Sequence, residues 1–278
     1  MNELLVIQGA PKPRFEAGVV AALTDATGVE PLGPHAFRLR GAHRHDGLAV
    51  HCEHEGIDFA WVPENRRLAD FKLAVMDMDS TLITIECIDE IADLQGLKPR
   101  VAAITAAAMR GELDYPASLR ERVALLEGLP ESALARIYEE RLKLSPGADV
   151  MLARFRALGI HTLLVSGGFT YFTERLKAHY GLDETRSNVL EIEGGVLTGR
   201  VVGDIVDAEA KAAALRATRD RLGIAREQII AMGDGANDLA FMAEAGVSVA
   251  YRAKPVVRAQ ATHALNHAGL DGVLNLFV

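Results

Sequence analysis

The sequence is poor in cysteine, in clustered positive charge and in long apolar runs, and each shortage removes a class of function. Cys52 and Cys87 are the only cysteines in 278 residues, too few and too widely spaced for a disulfide framework or for paired thiolate ligands to zinc. A reducing compartment, the cytoplasm, is expected. No stretch approaches the roughly 20 apolar residues of a membrane span. The first residues, MNELLVIQGAPKPR, carry neither a basic leader nor a long apolar centre, so neither membrane insertion nor export is expected. Lysine and arginine number 30 against 38 aspartates and glutamates, a net charge of −8, and no basic block gathers anywhere to neutralise a phosphate backbone. Nucleic acid is therefore not an expected partner. Internal repeats and low-complexity segments are absent.

What is present is ordinary soluble-protein composition, 49% hydrophobic and 24% charged. The length exceeds the roughly 100–200 residues of a usual domain, so two domains, or one with a large insert, are expected. Residues 1–70 read as a small α+β unit. It has an apolar run at Leu4–Ile7, a helix over Phe15–Thr27 and short strands near Ala36–Leu39, Leu48–Cys52 and Phe59–Val62. His35, His43, His45, His51 and His54 fall in this unit, but no tight helical spacing organises them into a metal site.

From Phe71 the pattern changes. The apolar run Leu73–Met76 ends in Asp77-Met78-Asp79, as a buried parallel strand does when it delivers polar residues to its carboxyl end. The switch recurs at Thr162–Val165 before Ser166-Gly167-Gly168, and at Ile229–Met232 before Gly233-Asp234-Gly235. Helical patterns at Ala148–Ala157, Tyr171–Tyr180, Ala208–Leu222 and Leu239–Ala245 alternate with these strands. The result is α/β, a parallel sheet between two helical layers, with ligands expected at the carboxyl edge. Residues 88–144 are too long for a plain crossover. Apolar stripes such as Ile91, Leu94 and Leu97, then Leu119, Val123 and Leu126, make them a helical cap inserted after the first core strand. Val189–Ile192 and Val196–Val202 flank Gly194-Gly195 as a hairpin.

Two carboxylates two residues apart at a strand end can divide chemical labour, one attacking and the other moving a proton. Asp77 and Asp79 are so placed. Asp234 and Asp238, after another strand, add the oxygen ligands that a hard cation such as Mg²⁺ requires. Ser166 with the amides of Gly167 and Gly168 offers an anion cradle. Lys211 lies in the first turn of a helix opened by Asp207, where it can reach a phosphoryl oxygen. Taken singly, D-x-D reads equally well as a solvated turn, Ser-Gly-Gly as a turn and a helical lysine as a surface charge.

The order Asp-Met-Asp-Ser-Thr, Ser-Gly-Gly, lysine, Gly-Asp-Gly-Ala-Asn-Asp resembles the haloacid dehalogenase (HAD) superfamily of phosphotransferases. DMDSTLITIECIDE at Asp77–Glu90 and MRGELDYPASLRERV at Met109–Val123 are similar to phosphoserine phosphatases, over about Phe71–Lys254. The resemblance implies a HAD-like Rossmannoid three-layer domain over 71–278. Its Asp77 would be the nucleophile, Asp79 the general acid and base, and Ser166, Gly167, Lys211 and Asn237 the groups around the phosphate. It implies Mg²⁺ held by Asp77, the Asp79 carbonyl and Asp234, with Asp238 in support. Glu86 and Arg122 would read the ammonium and carboxylate of phosphoserine, and Met109 and Tyr115 would close the pocket, tyrosine standing where many relatives have phenylalanine. Residues 1–70 resemble a short ACT-like regulatory domain, and a dimerisation module is an equal reading of them; a homodimer is compatible with either.

The implied reaction is hydrolysis of O-phospho-L-serine to serine and phosphate, the last step of serine biosynthesis. The alternatives are another phosphatase or phosphotransferase of the superfamily, or a phospho-aspartate signalling receiver. A receiver has no need of Asp79 or of a cap.

Overall fold

The computed structural model describes residues 2–10 and 16–278. In chain order the elements are β1 (Glu3–Gly9), α1 (Gly18–Leu23), β2 (Gly28–Gly33), β3 (Ala36–Arg40), α2 (Leu48–Glu55), β4 (Ile57–Pro63) and β5 (Leu73–Met76). The helices α3 (Cys87–Asp93), α4 (Lys98–Met109), α5 (Tyr115–Ala124) and α6 (Ser132–Arg136) follow. Then come α7 (Ala148–Ala157), β6 (His161–Phe169), α8 (Thr170–Tyr180), β7 (Glu184–Glu193), β8 (Val196–Val202) and α9 (Ala208–Leu222). The last are β9 (Ile229–Gly233), α10 (Leu239–Met242), β10 (Val247–Tyr251), α11 (Pro255–Arg258) and β11 (His263–Leu265). One sheet has four strands in the order β2-β3-β1-β4, and the other has seven, β11-β10-β9-β5-β6-β7-β8. In the larger sheet β6 runs parallel to β7, and β9, β10 and β11 are mutually parallel, while β8 returns antiparallel on β7.

By contacts the chain divides into two compact units that do not follow its order: residues 1–74, 145–161 and 224–278 in one, 75–144 and 162–223 in the other. In the first unit, the antiparallel strands β1, β3 and β4 bury Leu5, Ile7 and Leu39 against Val20 of α1 and Leu48 and Cys52 of α2. This small sheet is stitched to the end of the chain by polar side chains. The buried carboxylate of Asp58 accepts from the backbone amides of Asn266 at 2.7 Å, His267 at 2.9 Å and Ala268 at 2.8 Å. Gln8 donates to the Gly272 carbonyl and accepts from Asn275, and Arg38 donates to the Phe277 carbonyl.

In the second unit, the region expected as one helical insert is four helices broken by turns. Gly96 and Gly111, both at positive φ, stand in two of those breaks. Leu119 and Val123 form the buried stripe of α5, and Leu126, also buried, follows in the turn after it. The close approach of α5 to β8 requires glycine at Gly199: its φ is +77°, and a Cβ there would lie 3.3 Å from Ala124 Cα.

Two expectations are corrected in residues 1–70. Leu48–Cys52 is helix, not strand. Leu48, Val50 and Cys52 alternate like a strand face, but Leu48 and Cys52 are also four apart. The helix buries that pair, leaves Val50 73% exposed, and stops at Gly56 in the left-handed conformation. The helix expected over Phe15–Thr27 runs only over Gly18–Leu23, and its expected start at Phe15 lies outside the described residues. The strands β2, β10 and β11 went unread.

Candidate active site

Strand β5 carries four buried residues and hands on to Asp77, itself extended at φ −73°, ψ 160° and buried. Its Oδ1 lies 2.6 Å from Lys211 Nζ, and the two side chains are 7% and 2% exposed. Lys211 reaches this depth from the first turn of α9, whose start is capped by Asp207 accepting from the Ala210 amide at 2.9 Å.

After Asp77 the backbone turns sharply. Ser80 adopts φ +56°, a left-handed conformation that costs a non-glycine residue about 1 kcal/mol or more. The turn brings Ser80 Oγ to 2.7 Å from Glu86 Oε1, to which it donates, and lets Asp79 Oδ1 accept from the Cys87 amide at 3.2 Å. Burial, and next the negative Glu86, push the Asp79 carboxyl up to about 7, against the opposing pull of the Cys87 bonds and Lys211. Asp77 is thus held as an ion pair while its neighbour two residues on holds a proton to near neutrality.

The carboxyl end of β6, at Ser166-Gly167-Gly168, is shaped to leave room. A Cβ on Gly168 would lie 2.9 Å from Asp79 Oδ2, and one on Gly167 would collide with the Tyr115 hydroxyl. Ser166 is fully buried, and its Oγ accepts from the Gly168 amide at 2.8 Å. That bond uses a lone pair and leaves the hydroxyl proton to be given elsewhere. Tyr115, at the start of α5, donates to the Gly167 carbonyl at 3.2 Å. About two turns further along the same helix, Arg122 stands 6.0 Å from the Tyr115 ring centroid and donates Nε to the Ser118 carbonyl. Met109 is 73% exposed at the end of α4.

In the other unit, the loop after β9 folds around Asp238. Its Oδ2 accepts from the amides of Asp234 at 3.1 Å and Gly235 at 3.0 Å, while Asn237 Nδ2 donates to its Oδ1 at 3.2 Å. Asp234 and Asp238 bring two carboxylates to this loop, as Asp77 brings one to the end of β5, and such hard oxygens suit a hard divalent cation and not a soft one.

The family model for haloacid dehalogenase-like hydrolases matches residues 74–243. A phosphoserine phosphatase from Polaromonas sp. is 57% identical over 215 residues, covering 76% of this chain and 91% of that protein. The chain belongs to the phosphoserine phosphatases of the HAD superfamily. A HAD family hydrolase from Salmonella enterica serovar Typhi matches with a TM-score of 0.86 and 33% identity, covering 99% of this chain and 98% of that one. A probable phosphoserine phosphatase from Vibrio cholerae, unliganded, matches at 0.85 and 37%, covering 99% and 86%. The fold expected of a HAD phosphatase, with its inserted helices and separate small sheet, is the fold found. No helix is long and apolar enough to cross a membrane among the described residues.

Sequence reading missed three groups around the site: Ser80, which holds Glu86; the Cys87 amide, which holds Asp79; and Asn188, buried on β7, which bonds to the Gly167 carbonyl. Ser80 stands inside the quoted motif, but a hydroxyl there gives no sign of which carboxylate it will meet. Asn188 belongs to no motif.

Proposed function

We propose that the protein hydrolyses O-phospho-L-serine to serine and phosphate through an aspartyl-phosphate on Asp77. The observation that carries this is the split between two neighbouring carboxyls: Asp77 paired with Lys211 at 2.6 Å, Asp79 kept protonated up to about 7. Asp77 attacks phosphorus in line with the seryl oxygen, and Asp79 gives that oxygen its proton. Asp79, now a base, takes a proton from the water that opens the acyl phosphate, returning both carboxyls to their starting states. Ser166, the Gly167 amide and Lys211 hold the phosphoryl oxygens through both steps, and Asn237 borders them.

Glu86 takes the substrate ammonium and Arg122 its carboxylate, a two-pronged contact that suits a guanidinium better than an ammonium. Tyr115 and Met109 border that pocket. Asp77, Asp234 and the Asp79 carbonyl would hold Mg²⁺, with Asp238 in support, and the ion when bound supplies the positive charge that lets a phosphate dianion approach a carboxylate. The β-α-β-β-α-β order of residues 1–70 supports reading them as an ACT-like domain.

The test is release of inorganic phosphate from O-phospho-L-serine, O-phosphothreonine and p-nitrophenyl phosphate, with and without Mg²⁺, by the native chain, Asp77→Asn, Glu86→Gln and Arg122→Ala. Mg²⁺-dependent release strongest on phosphoserine and abolished by Asp77→Asn is expected. Glu86→Gln and Arg122→Ala should each lower kcat/KM for phosphoserine by about 10- to 150-fold, the worth of one hydrogen bond to a charged group, and spare the aryl ester. Equal losses on both esters would remove the amino-acid pocket from the assignment. A phospho-Asp77 that survives for minutes would turn the reading to a signalling receiver.

A further inference from the structure

Asn188 ties together two segments that bear phosphoryl-holding groups. It is 1% exposed. Its Nδ2 donates to the Gly167 carbonyl at 2.8 Å, and its Oδ1 accepts from the Val206 amide at 2.8 Å. Gly167 follows Ser166 in the irregular carboxyl end of β6. Val206 immediately precedes Asp207, the cap of the helix that carries Lys211 to Asp77.

The backbone explains why a side chain is needed there. Strands β6 and β7 pair as Val165 with Arg186 and then as Phe169 with Asn188, so three residues on β6 face a single one on β7. Ser166, Gly167 and Gly168 are lifted out of the ladder, the usual way a bulge re-aims groups beside a site. The Gly167 carbonyl would lose its strand partner in the bulge. Asn188 Nδ2 and Tyr115 Oη both donate to it, while the Gly168 amide donates to Ser166 Oγ. The peptide between Gly167 and Gly168 is thereby held at both ends, which aims the Ser166 hydroxyl away from it.

A carboxamide is the side chain this place requires: a donor and an acceptor on one carbon, and no charge to bury. Aspartate would set an acceptor against the Gly167 carbonyl. Glutamine would be one methylene too long, and leucine would take the partner from the buried Val206 amide and leave the Gly167 carbonyl to Tyr115 alone.

We infer that Asn188 is a positioning residue that fixes the spacing between the serine-glycine loop and the lysine helix, and so sets the grip on the phosphoryl group whatever ester it comes from. This rests on the reading of Ser166, Gly167 and Lys211 as phosphoryl holders. It assigns Asn188 to the phosphoryl half of the site and not to the amino-acid half.

The experiment uses the full chain with Mg²⁺ and compares native protein, Asn188→Ala and Asn188→Asp. Three quantities are measured: kcat and KM on O-phospho-L-serine and on p-nitrophenyl phosphate, orthophosphate affinity by calorimetry, and the thermal midpoint. Asn188→Ala should lower kcat/KM for both esters by the same factor, about 10²-fold, as expected for a displaced catalytic constellation, and weaken orthophosphate binding in parallel. Asn188→Asp should be poor at pH 8 and gain on the native protein as pH falls to 5.5, because a protonated carboxyl restores one donor beside one acceptor. This second variant decides the matter if the alanine variant does not fold.

A lower thermal midpoint with native kcat, KM and orthophosphate affinity would overturn the inference. So would a loss confined to phosphoserine, or an aspartate variant whose activity relative to native does not change with pH. A native chain that cleaves the aryl ester and not phosphoserine would fail the substrate reading alone, and Asn188 would still be judged on the aryl ester and on orthophosphate.

Discussion

Lys211→Met is the substitution most directly weighed by the structure. The side chain keeps its aliphatic length and loses the ammonium 2.6 Å from Asp77 Oδ1. At an effective dielectric of 20 and that separation, the attraction is about 6 kcal/mol. Desolvating the two charges offsets much of this, so the intact pair contributes little net stability. Removing one partner is a different matter, because the carboxylate stays buried with its countercharge gone, at a cost of roughly 3–5 kcal/mol. Against a total stability of about 5–15 kcal/mol, that is a large fraction.

The assay is urea unfolding in EDTA, so that no cation replaces the ammonium beside Asp77. Lys211→Met should lose about 3–5 kcal/mol. Adding Asp77→Asn should restore at least about 1–2 kcal/mol by removing the buried charge, and this non-additivity is the signature of a coupled pair. A single variant within about 0.5 kcal/mol of native, or a double variant no more stable than the single, would refute the account of this site as a buried, mutually dependent ion pair.

Asp79 titrates in two observables. Its folded pKa, about 7, is raised above 3.8, so the folded state holds the proton more tightly. Its stability contribution is complete below pH 4, and is lost as pH rises towards 7. In EDTA, Asp79→Asn should therefore match native stability near pH 4 and exceed it at pH 8, by no more than about 4 kcal/mol. Equal stabilities at pH 8 would contradict the burial of this carboxyl. The same variant should bind phosphoserine but turn it over about 10²- to 10⁴-fold more slowly, and near-normal turnover would end its role as acid. Asp58→Ala strands three backbone amides and should cost about 3 kcal/mol or more in thermal or urea unfolding; a loss under 1 kcal/mol would mean that water replaces the carboxylate.

Much of the larger sheet, and the placing of Asp77 at the end of one of its strands with Lys211 beside it, could be read in advance because there the local and global signals agree. β5, β6 and β9 are apolar runs ending in glycine or aspartate, and a strand buried on both faces needs no partner sequence to announce it. Asp207 capping α9 and Gly194-Gly195 turning β7 into β8 are local chemistry of the same kind. α2 escaped because Leu48, Val50 and Cys52 satisfy a two-residue period, and only the packed sheet beneath decides that Leu48 and Cys52 face inward. β10 and β11 add strands whose place is set by pairing with the strand just before each, β9 and β10, and not by a pattern within their own few residues. Asn188 is the sharpest case. Its function comes from the bulge opposite it on β6, and a bulge is a property of two strands in register, which no single stretch of residues displays.

The polar stitches of the four-stranded sheet set a timetable for its synthesis. Asp58 and its partner amide at Ala268 are 210 residues apart, so at ribosomal speeds of 5–20 residues per second about 10–40 s pass between the making of one and the other. For that interval the Asp58 carboxylate, the Gln8 carboxamide and the Arg38 guanidinium must remain in water, their interior places in this unit not yet made. Translation speed, and not the intrinsic folding rate of four short strands, governs when this unit closes, and a pause late in the message would prolong its exposure to proteases and to other unfinished chains.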